Sequence, residues 1–167
     1  MSLYSVDKLI SEARQLATEY RRTTGNPLPG ISGEIARYDA IRLLDLAAAE
    51  NGVSYDAVGN GQRKGKRIQI KGRVIQDDNV RGLRIGQVKS EQEWDSIVLV
   101  LLDCKHEPFE LYEAERDEIV GSENDTVSRS NKRGAMTMAR FKVIAHLVWT
   151  REDGLMEDSL WATDNSI

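Results

Sequence analysis

The chain has almost none of the residues that cross-link small proteins or grip transition metals. Its 167 residues include one cysteine, Cys104, and two histidines, His106 and His146. A lone thiol forms no internal disulfide and cannot supply half of a Cys-based zinc site. Two histidines forty positions apart leave a His/Cys zinc enzyme short of ligands. Long hydrophobic runs are missing as well. The longest, Ile97 to Leu102, spans six residues, whereas a membrane helix needs about twenty. Met1-Ser2-Leu3-Tyr4 carries no basic region followed by an apolar stretch, so no secretory signal is expected, and a cytoplasmic setting is. Internal repeats and low-complexity segments are absent. With 40% apolar and 30% charged residues, the composition is that of a folded chain and not of a disordered one. This length predicts a single domain over 1–150, with an N-terminal helix at 5–22, a core at 30–113 and an acidic, loose tail at 151–167.

The charge is unevenly spread. Between Arg63 and Lys89 stand nine basic residues (Arg63, Lys64, Lys66, Arg67, Lys71, Arg73, Arg81, Arg84 and Lys89) against Asp77 and Asp78. That is a local excess of +7 in a chain whose net charge is −4, so the other 140 residues carry −11. A phosphate-bearing partner accounts for such a segment, and so does a basic hairpin face in solvent. It contains no aromatic side chain, which favours backbone contacts over base stacking.

Periodicity places the elements. Val6, Leu9, Ile10, Ala13, Leu16, Ala17 and Tyr20 follow helical spacing, and the stretch Thr24 to Gly30 breaks the helix. A second helix is predicted from a Ser32 N-cap through Ala48 to Asn51-Gly52. Strands are predicted over Val53–Gly59 and Lys66–Arg73, joined as a hairpin by the Gly59–Gly65 turn. On the second strand Arg67, Gln69, Lys71 and Arg73 share one face, with Ile68 and Ile70 on the other. Further strands are predicted near Leu83–Val88, at Ile97–Asp103 (buried on both faces) and at Phe109–Tyr112. A short helix follows from Ala114, then a polar loop over 121–134 and a last helix over Met138–Leu147. The predicted fold class is α/β, a central mixed β-sheet flanked by helices on both faces.

Two constellations bear chemistry. Gly61-Gln62-Arg63-Lys64-Gly65-Lys66 resembles a phosphate loop only superficially: Asn60 and Arg67 stand where a glycine and a Ser/Thr are required, and no helix follows. The second is Asp56 with Gln69 and Lys71, and Glu34 upstream. Asp56 lies among apolar neighbours, where a carboxylate needs a partner. If the two strands are adjacent, it approaches both Gln69 and Lys71. Oxygen ligands suit Mg²⁺, which activates a water and stabilises charge on a phosphodiester, while an ammonium supports the transition state. A plain cross-strand ion pair satisfies the same spacing.

The strings Gly30-Ile31-Ser32-Gly33-Glu34, Tyr55-Asp56-Ala57-Val58-Gly59 and Arg67-Ile68-Gln69-Ile70-Lys71-Gly72-Arg73 resemble the PD-(D/E)xK nuclease superfamily in a Q-x-K variant. The likeness is to small bacterial proteins of that group and covers about residues 30 to 113. It implies a restriction-endonuclease-like fold and metal-dependent hydrolysis of nucleic acid, DNA in particular, with Mg²⁺ or Mn²⁺ as cofactor. Asp56, Glu34 and Gln69 would hold the metal, and Lys71 would position water and stabilise charge. Arg63, Lys64, Lys66, Arg67, Arg73, Arg81, Arg84 and Lys89 would follow the nucleic-acid backbone, and a homodimer would cut two strands. Two departures stand out. Tyr55 replaces the proline, and Gln69 replaces the acid, which lowers metal affinity. Members resembling the Mrr branch also carry Q-x-K. Two rival readings are a catalytically inactive module of the same fold for nucleic-acid binding or assembly, and an acidic protein-interaction or inhibitor module.

The remaining residues are assigned to packing or solvent. His106 is expected in a solvated turn and His146 half-buried on the last helix. Cys104 is expected to end a buried strand. Met136, Met138, Phe141, Trp94 and Trp149 are expected to pack the core, and Glu110–Glu118 to form a solvated face. Trp161 is a candidate docking residue. The sequon at Asn124 has no meaning in the cytosol.

Overall fold

The computed structural model of the chain describes residues 5–76, 83–88, 92–124 and 135–156. Of the expectations above, Arg81, Lys89, Trp161, the tail beyond 156 and the loop beyond 124 lie outside the described residues. The first helix, α1 (Val6–Thr24), starts at Ser5, whose hydroxyl accepts from the Lys8 amide, and ends at Gly25 in the left-handed region. Helix α2 (Ile31–Leu43) begins after Gly30, which takes a φ of 83°. Ser32 is therefore inside the helix and not its cap.

That helix also stops earlier than predicted. Asp45 turns with φ 53°, and Leu46–Ala48 forms strand β1, paired with β2 (Ala57–Gly59). Apolar Leu-Ala-Ala suits either state, and the pairing decides. Only Ala57–Gly59 of the predicted 53–59 strand is strand, and it makes the expected antiparallel hairpin with β3 (Arg67–Val74) around a single 3₁₀ turn, Gly61–Arg63. The remaining elements are β4 (Arg84–Gln87), β5 (Ser96–Leu102), β6 (Pro108–Glu115), α3 (Arg116–Asn124), β7 (Ala135–Thr137), α4 (Met138–Ile144), β8 (His146–Thr150) and β9 (Gly154–Leu155).

Seven strands form one sheet in the order β1-β2-β3-β5-β6-β8-β9, and β4 pairs with β7 in a second, two-stranded sheet. The large sheet is mixed: β3 and β5 run parallel and the other neighbours antiparallel. The class is α/β. Every residue of β5 is buried, as its unbroken apolar run predicts. Val98, Val100 and Leu102 pack with Ile68, Ile35 and Ala36 beneath α2. Ile97, Leu99 and Leu101 pack with Trp94, Ile119, Met138 and Phe141 on the opposite face, against α3 and α4. Helices thus cover both faces. The fit over β3 is tight at Gly72, where a Cβ would run into Ala36.

Several assignments are corrected. The last predicted helix ends at Ile144, and β8 and β9 fold residues 146–155 into a hairpin that completes the sheet. His146 is consequently an exposed strand residue, 3.4 Å from Glu118. Cys104 is exposed in the turn after β5 and does not end the buried strand. Residues 121–124 belong to α3 and not to a loop. Glu113 breaks the expected solvated face: it is buried and accepts from Ser96 and Arg63. No described helix is long and apolar enough to cross a membrane.

His106 is not solvated. It is 5% exposed in the tight turn between β5 and β6, with φ 62°. Arg14 of α1 explains this placement. Its guanidinium makes a bidentate pair with the fully buried Asp39 of α2 and also donates to the His106 carbonyl. Thr18 Oγ1 lies 3.2 Å from His106 Nδ1 and gives its own proton to the Arg14 carbonyl, so Nδ1 carries the ring proton. Burial first, then the nearby Arg21, pushes the His106 pKa below its usual value, with Arg14 adding to it and Asp103 opposing it. The unfolded chain therefore takes up this proton at higher pH than the folded one. Stability is expected to fall as pH drops through about 6.5 and below. Thermal melts between pH 7.5 and 5.5 test this; His106→Gln should flatten the dependence.

Candidate metal centre and basic surface

The β2–β3 hairpin places the candidate site. The register Ala57↔Ile68 puts Asp56, one step outside β2, opposite Gln69. The Asp56 amide donates to the Ile68 carbonyl at 2.9 Å, so the two segments are in contact at this point. Asp56 Oδ2 accepts the Ile70 amide at 2.8 Å. Among the described residues this is the only hydrogen bond its carboxylate makes, which leaves Oδ1 uncommitted.

Gln69 is 7% exposed. Its Nε2 donates to the Ser54 carbonyl at 2.8 Å, which fixes the amide orientation and turns Oε1 the other way. Oε1 is buried with no hydrogen-bond partner among the described residues. Such an acceptor costs about 1–3 kcal/mol unless something meets it. Lys71 is half-buried two residues on, and alternation along β3 sends it from the same face as Gln69. The hairpin thus brings together Asp56, Gln69 and the strand position of Lys71.

Glu34 is placed differently. It is exposed in the first turn of α2, and α2 covers the Ile68–Ile70–Gly72 face of β3, away from Gln69. No group of three or more His, Cys, Asp or Glu residues gathers around a metal-sized space among the described residues. A cation held here would rest on one carboxylate and one amide oxygen, with water completing its shell. That donor set is all oxygen, which suits Mg²⁺ or Mn²⁺, and the orphaned Oε1 fits such an ion.

The basic segment is largely engaged within the chain. Arg63 pairs with Glu113 at 2.9 Å, and Lys66 with Glu115 and, at 3.9 Å, with Glu113. Arg67 grips Asp95 with Nε at 3.0 Å and Nη2 at 3.1 Å, and its Nη1 lies 3.3 Å from Glu93. The Arg67 hydrogen bond holds the Asp95 carboxyl below its usual pKa. Arg73 is half-buried and donates to the carbonyls of Arg84 and Gly72; burial lowers its pKa. Arg84 is exposed, as is Lys64 at the hairpin tip, where no carboxylate pairs with it among the described residues. The sequence missed these pairings because Glu113, Glu115 and Asp95 come from distant segments. The signal was present in opposite charge runs, basic at 63–67 and acidic at 110–118, on strands that flank β5.

No protein-family model matches the chain, and no curated protein matches it.

Proposed function

We propose that the chain is a restriction-endonuclease-like nuclease that hydrolyses phosphodiester bonds of nucleic acid, DNA in particular, with Mg²⁺ or Mn²⁺. The observation that carries this reading is the buried Gln69 Oε1, which no described residue partners, opposite Asp56 on the strand face that also bears Lys71. Asp56 Oδ1 and Gln69 Oε1 would hold the metal. Glu34 would have to add its charge from the neighbouring layer. Bound there, the ion would lower the pKa of a water and withdraw charge from the phosphoryl oxygens.

The protein side of the chemistry follows from placement. The Ser54 carbonyl restrains Gln69 and the Ile70 amide restrains Asp56, which would limit the reordering of their other two oxygens when a cation arrives. Lys71, half-buried, supplies an ammonium whose field is less damped than in open water. It would stabilise the charge that builds on the phosphoryl oxygens as water attacks and the P–O bond breaks. Lys64 at the tip would meet the backbone first. Arg63, Lys66 and Arg67 are held by their own carboxylates, so backbone contact through them means exchanging partners. Binding of this kind is weak and salt-sensitive.

The second reading, an inactive module of the same fold, has its own observation. Asp56 and Gln69 each already bond a backbone group, so both have a structural use at the hairpin mouth. Incubating the protein with supercoiled plasmid and Mg²⁺ or Mn²⁺ separates the two. The nuclease reading expects metal-dependent nicking, abolished by EDTA and by Lys71→Ala. Salt-sensitive plasmid binding without nicking, in both metals, would favour the inactive module.

A further inference from the structure

A cleft of about 820 Å³ opens between α1 and the turn that follows β5, apart from Asp56, Gln69 and Lys71. That volume lies within the range of small-molecule sites, about 300–1,000 Å³. Its charged lining divides into satisfied and unsatisfied groups. Arg22 pairs with Glu19 at 2.6 Å, and Arg14 faces Glu107 at 3.7 Å above its buried pair with Asp39. Asp39 is shared with Arg42, so these charges balance. Two cations remain. Arg21, from the last turn of α1, and Lys105, from the turn, both line the cleft, and neither has a carboxylate within ion-pair distance among the described residues.

The surroundings suit an anion. The turn is rigid: Asp103 Oδ1 accepts the amides of Lys105 and Glu107 at 2.8 and 3.0 Å, and Arg151 holds Oδ2 at 2.7 Å. The cleft therefore keeps Lys105 on a fixed base opposite a helix anchored by Arg14. Ser11, Gln15 and Gln76 add neutral donors along the lining. Arg21 lies near enough to His106 to help lower its pKa, after burial and against the opposing charge of Asp103. Two positive charges that no described carboxylate pairs match a phosphomonoester, which carries about −1.5 to −2 at neutral pH. A monocarboxylate would leave one of them unmatched.

We propose that this cleft binds a small phosphorylated anion of mononucleotide size, its phosphate held between Arg21 and Lys105. The proposal is independent of metal-dependent cleavage, and its test runs in EDTA. Cys104, the chain's one cysteine, is exposed and lines the cleft, so its alkylation by the neutral reagent N-ethylmaleimide reports occupancy. AMP is expected to slow alkylation with half-protection below about 1 mM, and inorganic phosphate to compete at higher concentration. Adenosine, which lacks the phosphate, should not protect.

The double variant Arg21→Gln/Lys105→Gln should raise the AMP concentration for half-protection by about tenfold or more, since charge-assisted bonds are lost. Both positions lie at the surface of the cleft, and an unchanged thermal melt would show that the variant is folded; protection is read as the ratio of rates with and without AMP, because removing two cations beside the thiol slows its basal alkylation. As an independent reading, Arg21→Gln should raise the His106 pKa seen by NMR titration. Absence of protection by AMP and phosphate up to about 10 mM would overturn the proposal. So would equal protection by adenosine, or protection that survives the double variant.

Discussion

Asp56→Asn is expected to remove metal-dependent nicking by at least about 10²-fold while leaving the fold intact. The carboxylate has two uses that this substitution separates. Its Oδ2 caps the Ile70 amide, and an asparagine carbonyl oxygen keeps that bond. Its negative charge is the only one that the hairpin itself brings to Gln69, and asparagine deletes it. Asp56→Ala removes both and should also cost about 1–3 kcal/mol of stability, because the Ile70 amide loses its partner. Gln69→Glu moves charge the other way. It restores a second carboxylate and should tighten Mn²⁺ binding about tenfold or more, read by calorimetric titration. It should also lower stability without metal, since a buried carboxylate then stands beside Asp56. Equal nicking by Asp56→Asn and the native chain would remove Asp56 from the reaction.

The second large effect concerns the fold. Arg14→Ala is expected to cost about 3–5 kcal/mol, because it leaves the Asp39 carboxylate buried without its bidentate partner. Asp39 is fully inaccessible, and its other cation, Arg42, stands 3.5 Å away and is half exposed. The same guanidinium also holds the His106 carbonyl, so α1, α2 and the β5–β6 turn separate together. Replacing both ends by apolar groups of similar size, Arg14→Met with Asp39→Leu, should recover most of the loss. Urea unfolding of the three variants measures it. A loss below about 1 kcal/mol for Arg14→Ala would mean that Asp39 is rehydrated instead of stranded.

The sequence exposed the parts of this fold that depend on local pattern. The alternation of Arg67 to Arg73 gave the two faces of β3, and the run Ile97–Leu102 gave a strand covered on both sides. The turn chemistry of Gly59 to Gly65 gave the hairpin that sets Asp56 against Gln69. What it hid depends on distant partners. Leu46–Ala48 is a strand because β2 lies beside it, and His146–Thr150 because the edge of β6 needs pairing. Gln69 shares its strand face with Arg67, Lys71 and Arg73, yet it is buried, with its amide tied to the Ser54 carbonyl. Much of the basic segment is less available than its +7 implied, since Arg63, Lys66 and Arg67 meet carboxylates from β6 and the approach to β5. None of those partners lies within twenty residues in sequence.

These placements change what the site asks of a metal. One carboxylate and one amide oxygen would give a proposed ion a weak, water-rich seat, and the second carboxylate that would strengthen it, Glu34, stands on the other layer. The most direct measurement is a crystal structure of the protein soaked in Mn²⁺, with the ion located by its anomalous signal. The account predicts manganese at about 2.1–2.4 Å from Asp56 Oδ1 and Gln69 Oε1, with waters filling the remaining positions. Manganese bound only elsewhere, or Gln69 Oε1 satisfied by a hydrogen bond from the protein with no ion near Asp56, would contradict it.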